Sequence, residues 1–106
     1  MGYDFHITRK DHWADDEGPS ISLDEWTEYA RRNSNLSLDA DNPGPENWIV
    51  AEHGRAWPLW WEATGEIVVK NPDPLMIEEL VAIANALGAR VLGDDGEVYG
   101  EASTVG

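Results

Sequence analysis

Between residues 48 and 70 the chain reverses too often for anything but an antiparallel sheet. Trp48 to Glu52, Trp57 to Glu62 and Glu66 to Lys70 each read as a short strand. The gaps between them, residues 53–56 and 63–65, are far shorter than the dozen or so residues a parallel crossover needs. Neighbouring strands must therefore meet as hairpins, and Thr64-Gly65 reads as a tight turn. Pro58 cannot donate to a ladder, which places the start of its strand near a sheet edge.

The rest of the chain supplies two helices and more short strands. Tyr3-Asp4-Phe5-His6-Ile7-Thr8 alternates, with Tyr3, Phe5 and Ile7 on one face and Asp4, His6 and Thr8 on the other. One sheet face is thus expected to be wet, as antiparallel sheets allow. Lys10 to Ser20 reads as a polar loop. Ser22 and Glu25 form a capping box, and Ile21 and Trp26 stand at the staple positions around it, predicting a helix over 23–32. Arg31 and Arg32 suit its negative C-terminal end. Residues 33–47 read as one long loop, since Pro43-Gly44-Pro45 blocks regular structure.

The second helix is expected to begin with Asp73 as cap and Pro74 at the first turn. Ile77, Leu80, Val81, Ala84 and Leu87 recur at helical spacing, and Gly88 follows as a natural terminator. Ala89 to Leu92 and Glu97 to Tyr99 read as strands joined by a turn around Asp95-Gly96. The order β-α-β-β-β-α-β-β predicts an α+β fold in two layers, a mainly antiparallel sheet with two helices on one face. The expected organisation is a single domain over 1–100 with a flexible tail at 101–106.

A chain of 106 residues can sustain one modest core. Hydrophobic residues make up 42%, too many for disorder, and each of the six Trp can bury roughly 150–250 Å². That core must outweigh strong self-repulsion. Asp and Glu number 21 against 7 Lys and Arg, a formal net charge of -14. Such a charge disfavours nucleic acid, whose binding relies on Lys and Arg at phosphates, and an anionic membrane surface likewise. It steers a basic protein inward. No cysteine is present, so disulfides and thiolate chemistry are excluded. No signal peptide is expected at the N-terminus, and Leu59-Trp60-Trp61 is far short of a membrane span. A cytoplasmic protein is expected.

Catalytic patterns are weak. His6, His12 and His53 lie near Asp4, Asp11, Asp15 and Asp16 or alone, without the spacing of a compact metal site. His6 reads as a structural histidine on the polar strand face. No nucleophile sits in a recognisable base context, and Gly93-Asp94-Asp95-Gly96 would repel phosphate. The chain is therefore read as not an enzyme, with no cofactor and no metal.

Binding is the better-supported reading. Trp57, Leu59 and Trp61 share one strand face, which leaves Trp60 on the other, with Trp48 as a possible companion. The acidic residues group as Asp11, Asp15, Asp16 and Glu17; as Asp39, Asp41 and Glu46; and as Asp94, Asp95 and Glu97. These residues and Trp60 are the candidate partner-binding set.

Several strings carry a resemblance. Tyr3-Asp4-Phe5-His6-Ile7-Thr8-Arg9 with Trp13, Ile21 to Trp26, Gly65-Glu66-Ile67, Asn71-Pro72-Asp73, Ala86 to Val91 and Gly93 to Tyr99 resemble small bacterial proteins that open with a Y-D-[LF]-H-I-T-R string. Some of these look like immunity proteins of contact-dependent growth inhibition or related polymorphic toxin systems. The resemblance implies a cytoplasmic protein that binds and blocks the C-terminal toxin domain of an effector. Such a cognate toxin domain is often a basic nuclease, in line with the charge. The alternative is a small-molecule-binding or regulatory domain with a Trp-lined pocket.

Overall fold

In the computed structural model residues 4–10, 18–41, 44, 46–52, 55–70, 72 and 76–101 are described. Their elements run β1 (Asp4–Thr8), α1 (Leu23–Arg32), β2 (Leu36–Leu38), β3 (Asn47–Glu52), β4 (Arg55–Glu62), β5 (Glu66–Lys70), α2 (Ile77–Ala86), β6 (Arg90–Gly93) and β7 (Val98–Glu101).

α1 forms as its sequence dictates. The Ser22 hydroxyl accepts the Glu25 N–H and the Glu25 carboxylate accepts the Ser22 N–H, both at 3.0 Å. Two orphan donors of the first turn are thereby satisfied. Ile21 and Trp26 are fully buried in the core, and Glu28 pairs with both Arg31 and Arg32 on the outer face. α2 carries Glu78 and Glu79 in its first turn, where the helix dipole favours acids, and ends at Gly88 with φ +67. Met76 stands at its N-cap without a side-chain cap; the expected cap at Asp73 and Pro74 lies outside the described residues.

The sheet has seven strands in the order β2-β3-β4-β5-β1-β6-β7, every pairing antiparallel. The fold is α+β, as expected. Residues 33–47 are not all loop, however. Leu36 pairs with Val50 and Leu38 with Trp48, adding β2 at the edge. Burial of Leu36 against the core selects the strand. β7 reaches Glu101, which pairs with Arg90, so the strand takes the first residue of the expected tail. Residues 102–106 and Tyr3 lie outside the described residues.

One face of the sheet carries Phe5, Ile7, Trp48, Val50, Leu59, Ile67, Val69 and Val91. Trp26 and Ala30 of α1 and Leu80, Ile83 and Ala84 of α2 join the same cluster, so both helices cover this face. Trp57 and Trp61, half-buried on the same face opposite Val50 and Ile67, pack against it. Trp48 belongs here too, and not beside Trp60 on the opposite face: it pairs with Leu59 and is 6% exposed. Among the described residues no helix is long and apolar enough to cross a membrane.

Arg9 fastens the two helices to the sheet. Its guanidinium donates to the Leu87 carbonyl at the end of α2, to the Ser20 carbonyl, and to both carboxylate oxygens of Glu25. The Arg9 hydrogen bond, backed by the Ser22 N–H, holds the Glu25 carboxyl down at about 2.

Gly65 is fixed by its backbone. Its φ of +87 suits glycine, and a Cβ there would run into the Ser20 side chain. The Gly65 carbonyl accepts the Ile21 N–H at 2.9 Å, which ties the β4–β5 turn to the start of α1. Gly65→Ala is expected to destabilise by more than about 1 kcal/mol. A urea melt with an unchanged midpoint would contradict this.

Candidate functional site

The face of the sheet opposite the helices holds the features of interest. Pairing places Asn47 beside Trp60, Trp60 beside Val68, Val68 beside His6, His6 beside Leu92 and Leu92 beside Val98. Asp39, just past β2, extends this row by donating its N–H to the Asn47 carbonyl at 3.1 Å. One line of side chains thus crosses the sheet, with Asp39 near one end and His6 in the middle.

The two halves of this face differ. Toward β1 and β6, His6, Thr8 and Leu92 are buried. Toward β3–β5 the face is open: Ala51, Ala56, Pro58 and Lys70 are exposed, and Ile49, Trp60 and Val68 are half-buried. A groove of about 330 Å³ lies here, lined by Ala56, Trp57, Pro58, Trp60, Val68 and Lys70. Its walls are almost wholly apolar.

Beside this groove the acidic loop after β2 is held from both sides by tryptophans. The Trp60 indole N–H donates to Asp39 Oδ2 at 3.3 Å, and Asp39 Oδ1 accepts the Asp41 N–H at 3.0 Å. From the helix side, the Trp26 indole N–H donates to the Glu46 carbonyl at 3.1 Å, which also accepts the Trp61 N–H at 3.0 Å. Asp41 is left exposed and Glu46 half-buried. Asp39, Asp41 and the Glu46 carbonyl are thus positioned before any partner binds. On its helix side lies a wider groove of about 830 Å³, lined by Thr27, Arg31, Leu38, Asp39, Ala40, Gly44 and Trp48.

The middle of the row is a buried charge cluster. His6 Nδ1 lies 2.7 Å from Glu66 Oε1 and His6 Nε2 lies 2.8 Å from Asp94 Oδ1. Ionised carboxylates only accept, so an imidazole bonded to two of them donates from both nitrogens and is a cation. Burial pulls the His6 pKa down, but hydrogen bonds to Glu66 and Asp94 outweigh it and leave the pKa raised above 6.5. Burial pushes Asp94 up, but its bonds from His6 and from the Asp4 N–H leave it below 3.8. Thr64 Oγ1 donates to the other oxygen of Glu66 at 3.0 Å. With both ring nitrogens donating, His6 has no free lone pair in this arrangement.

Among the described residues, every buried side-chain nitrogen and oxygen has a hydrogen-bond partner. No group of three or more His, Asp or Glu among them is placed to hold a metal ion.

The sequence-predicted binding residues separate as follows. Asp11, Asp15, Asp16 and Glu17 lie outside the described residues. Asp39 is no surface charge: at 3% exposed, its carboxylate turns inward to Trp60. Asp41, Asp95 and Glu97 are exposed, while Asp94 is part-buried against His6. Asp39 and Asp94 therefore flank the same sheet face as Trp60, the first bonded to Trp60 and the second to His6. Sequence reasoning missed Glu66 as the partner of His6, sixty positions away. The one available signal was that His6 and Glu66 both fall in strands, which does not fix their pairing.

Comparison with known proteins found no matching family model, no matching curated protein and no matching solved structure. A functional reading therefore rests on the residues themselves.

Proposed function

We propose that this chain is an immunity-type inhibitor that acts in the cytoplasm by occluding a basic toxin domain. The observation that carries the reading is the open half of the sheet face, where half-buried Trp60 adjoins an acidic loop in a chain of net charge -14. An apolar centre with acidic flanks suits a partner that presents an apolar anchor among Lys and Arg. Trp is enriched among residues that dominate binding energy, and rim charges mainly raise the association rate. Inhibition of this kind needs stoichiometric binding and no chemistry.

The test is capture of bound proteins from native host cells, then expression of the captured protein with and without this chain. A partner toxic alone is expected to be harmless in its presence. Trp60→Ala is expected to weaken the complex by about 2 kcal/mol or more, roughly 30-fold in Kd. A partner that stays toxic beside the wild-type chain would end the proposal.

The groove beside Trp57 and Trp60 favours one other reading, a small apolar ligand. That reading predicts a small molecule that quenches Trp fluorescence in the isolated chain, with the response lost in Trp60→Ala.

A further inference from the structure

We propose that His6 is a pH-operated latch, which holds the β6–β7 turn against the sheet while protonated and releases it on losing its proton. The geometry decides which contact breaks. A neutral imidazole carries one N–H, yet two carboxylate oxygens stand within 2.8 Å of its ring nitrogens. One of them must then face a lone pair, and that contact is repulsive. Glu66 cannot easily leave, because its side chain is 7% exposed and is also held by Thr64. Asp94 can, because its side chain is 35% exposed and sits just beyond β6, where the chain turns toward β7. Deprotonation therefore frees Asp94.

Freeing Asp94 undoes more than one bond. Its other oxygen accepts the Asp4 N–H at 2.9 Å, so the carboxylate bridges β1 and the turn through both side chain and backbone. The turn closes with the Gly96 N–H on the Gly93 carbonyl and the Gly93 N–H on the Glu97 carbonyl, both at 2.9 Å. Asp95 and Glu97 ride on it, so the latch sets how this acidic group is presented.

Of the surrounding charges Lys70 also acts on Asp94, more weakly than His6 does. From β5 the ring meets Glu66; Lys70 further along β5 lies 3.8 Å from Asp4, its ion-pair partner. From β6 it meets Leu92, and Arg90, beside Thr8, donates to the Lys10 carbonyl. Asp4 and Thr8 flank it on β1, and from the turn it meets Asp94.

The signs follow from linkage. A His pKa raised on folding adds stability that is whole below 6.5 and fades as pH rises through the folded value. The lowered Asp94 pKa adds stability that is present above 3.8 and fades as pH falls. The latch is closed between these limits and opens on the alkaline side.

The test is NMR on the full chain from pH 5 to 10, with the His6 ring assigned by difference from His12→Gln and His53→Gln. His6 is expected to titrate above 6.5. Amide protection at Gly93 and Gly96, corrected for the intrinsic pH dependence of exchange, is expected to fall through the same midpoint. The fall should be roughly tenfold for each unit by which His6 exceeds its ordinary value. In Asp94→Asn the His6 midpoint should drop and the turn should lose this pH dependence. A His6 midpoint at or below 6.5, a turn indifferent to that transition, or an unchanged response in Asp94→Asn would each overturn the latch.

Discussion

Truncating Trp26 to Ala is expected to lower stability by about 3–5 kcal/mol, the range for deleting a large buried aromatic. Trp26 is fully buried between α1 and the sheet, stacked on Tyr29 with ring centroids 6.3 Å apart. The further expectation is specific to this residue. Its indole N–H holds the Glu46 carbonyl, so the acidic loop should loosen as well. Trp26→Phe separates the two effects, since it keeps much of the burial and removes the donor. In that variant the Asn47 amide, which bonds the Gly44 carbonyl at 3.3 Å, should lose protection against hydrogen exchange. Val91→Ala, in the core on β6 and away from β3, should lower stability without doing so. Unchanged protection at Asn47 in Trp26→Phe would mean the indole does not organise the loop.

His6→Leu is expected to be comparably severe, about 3–5 kcal/mol, because it leaves the Glu66 carboxylate buried without its cation. The penalty lies in the stranded charge more than in the lost pair. The double variant His6→Leu/Glu66→Leu should therefore recover most of the loss, since apolar replacement of a buried pair is often close to neutral. Asp94, on the partly exposed turn, can turn to water in both variants. The pH dependence gives a second reading. Wild-type stability should decline as pH rises above 6.5 through the raised His6 value, and both variants should lack that decline. Urea melts at a series of pH values measure all of this. A single variant as stable as wild type at neutral pH would show that the cluster contributes little.

Local chemistry made much of the fold legible. Ser22 and Glu25 marked the start of α1 because a capping box is complete within four residues. Alternation and short connections marked the hairpins of β3, β4 and β5 for the same reason. β2 escaped notice because three residues, Leu36-Ser37-Leu38, show no periodicity of their own; the strand exists through Val50 and Trp48 on its neighbour. The place of β1 between β5 and β6, far from both in sequence, is likewise a tertiary fact.

The candidate site was less legible because it runs across strands and not along them. Asp39, Asn47, Trp60, Val68, His6 and Leu92 are neighbours by register, with no shared spacing. That Trp60 stands on the face opposite Leu59 and Trp61 was readable from alternation. That Asp39 would turn inward to its indole was not, since an aspartate that accepts a buried N–H reads like any surface acid. The same is true of Glu66 beneath His6.

The proposed function has an acidic face steer a basic protein onto Trp60. The most direct measurement is the association rate of the captured partner with this chain, followed against ionic strength. Steered encounters reach about 10⁸–10⁹ M⁻¹s⁻¹ at low salt, against about 10⁵–10⁶ for unsteered ones. A steep fall with added salt is predicted, flattened by Asp41→Lys with Asp95→Lys and Glu97→Lys, together with faster dissociation in Trp60→Ala. A rate indifferent to salt, with dissociation indifferent to Trp60, would contradict the account.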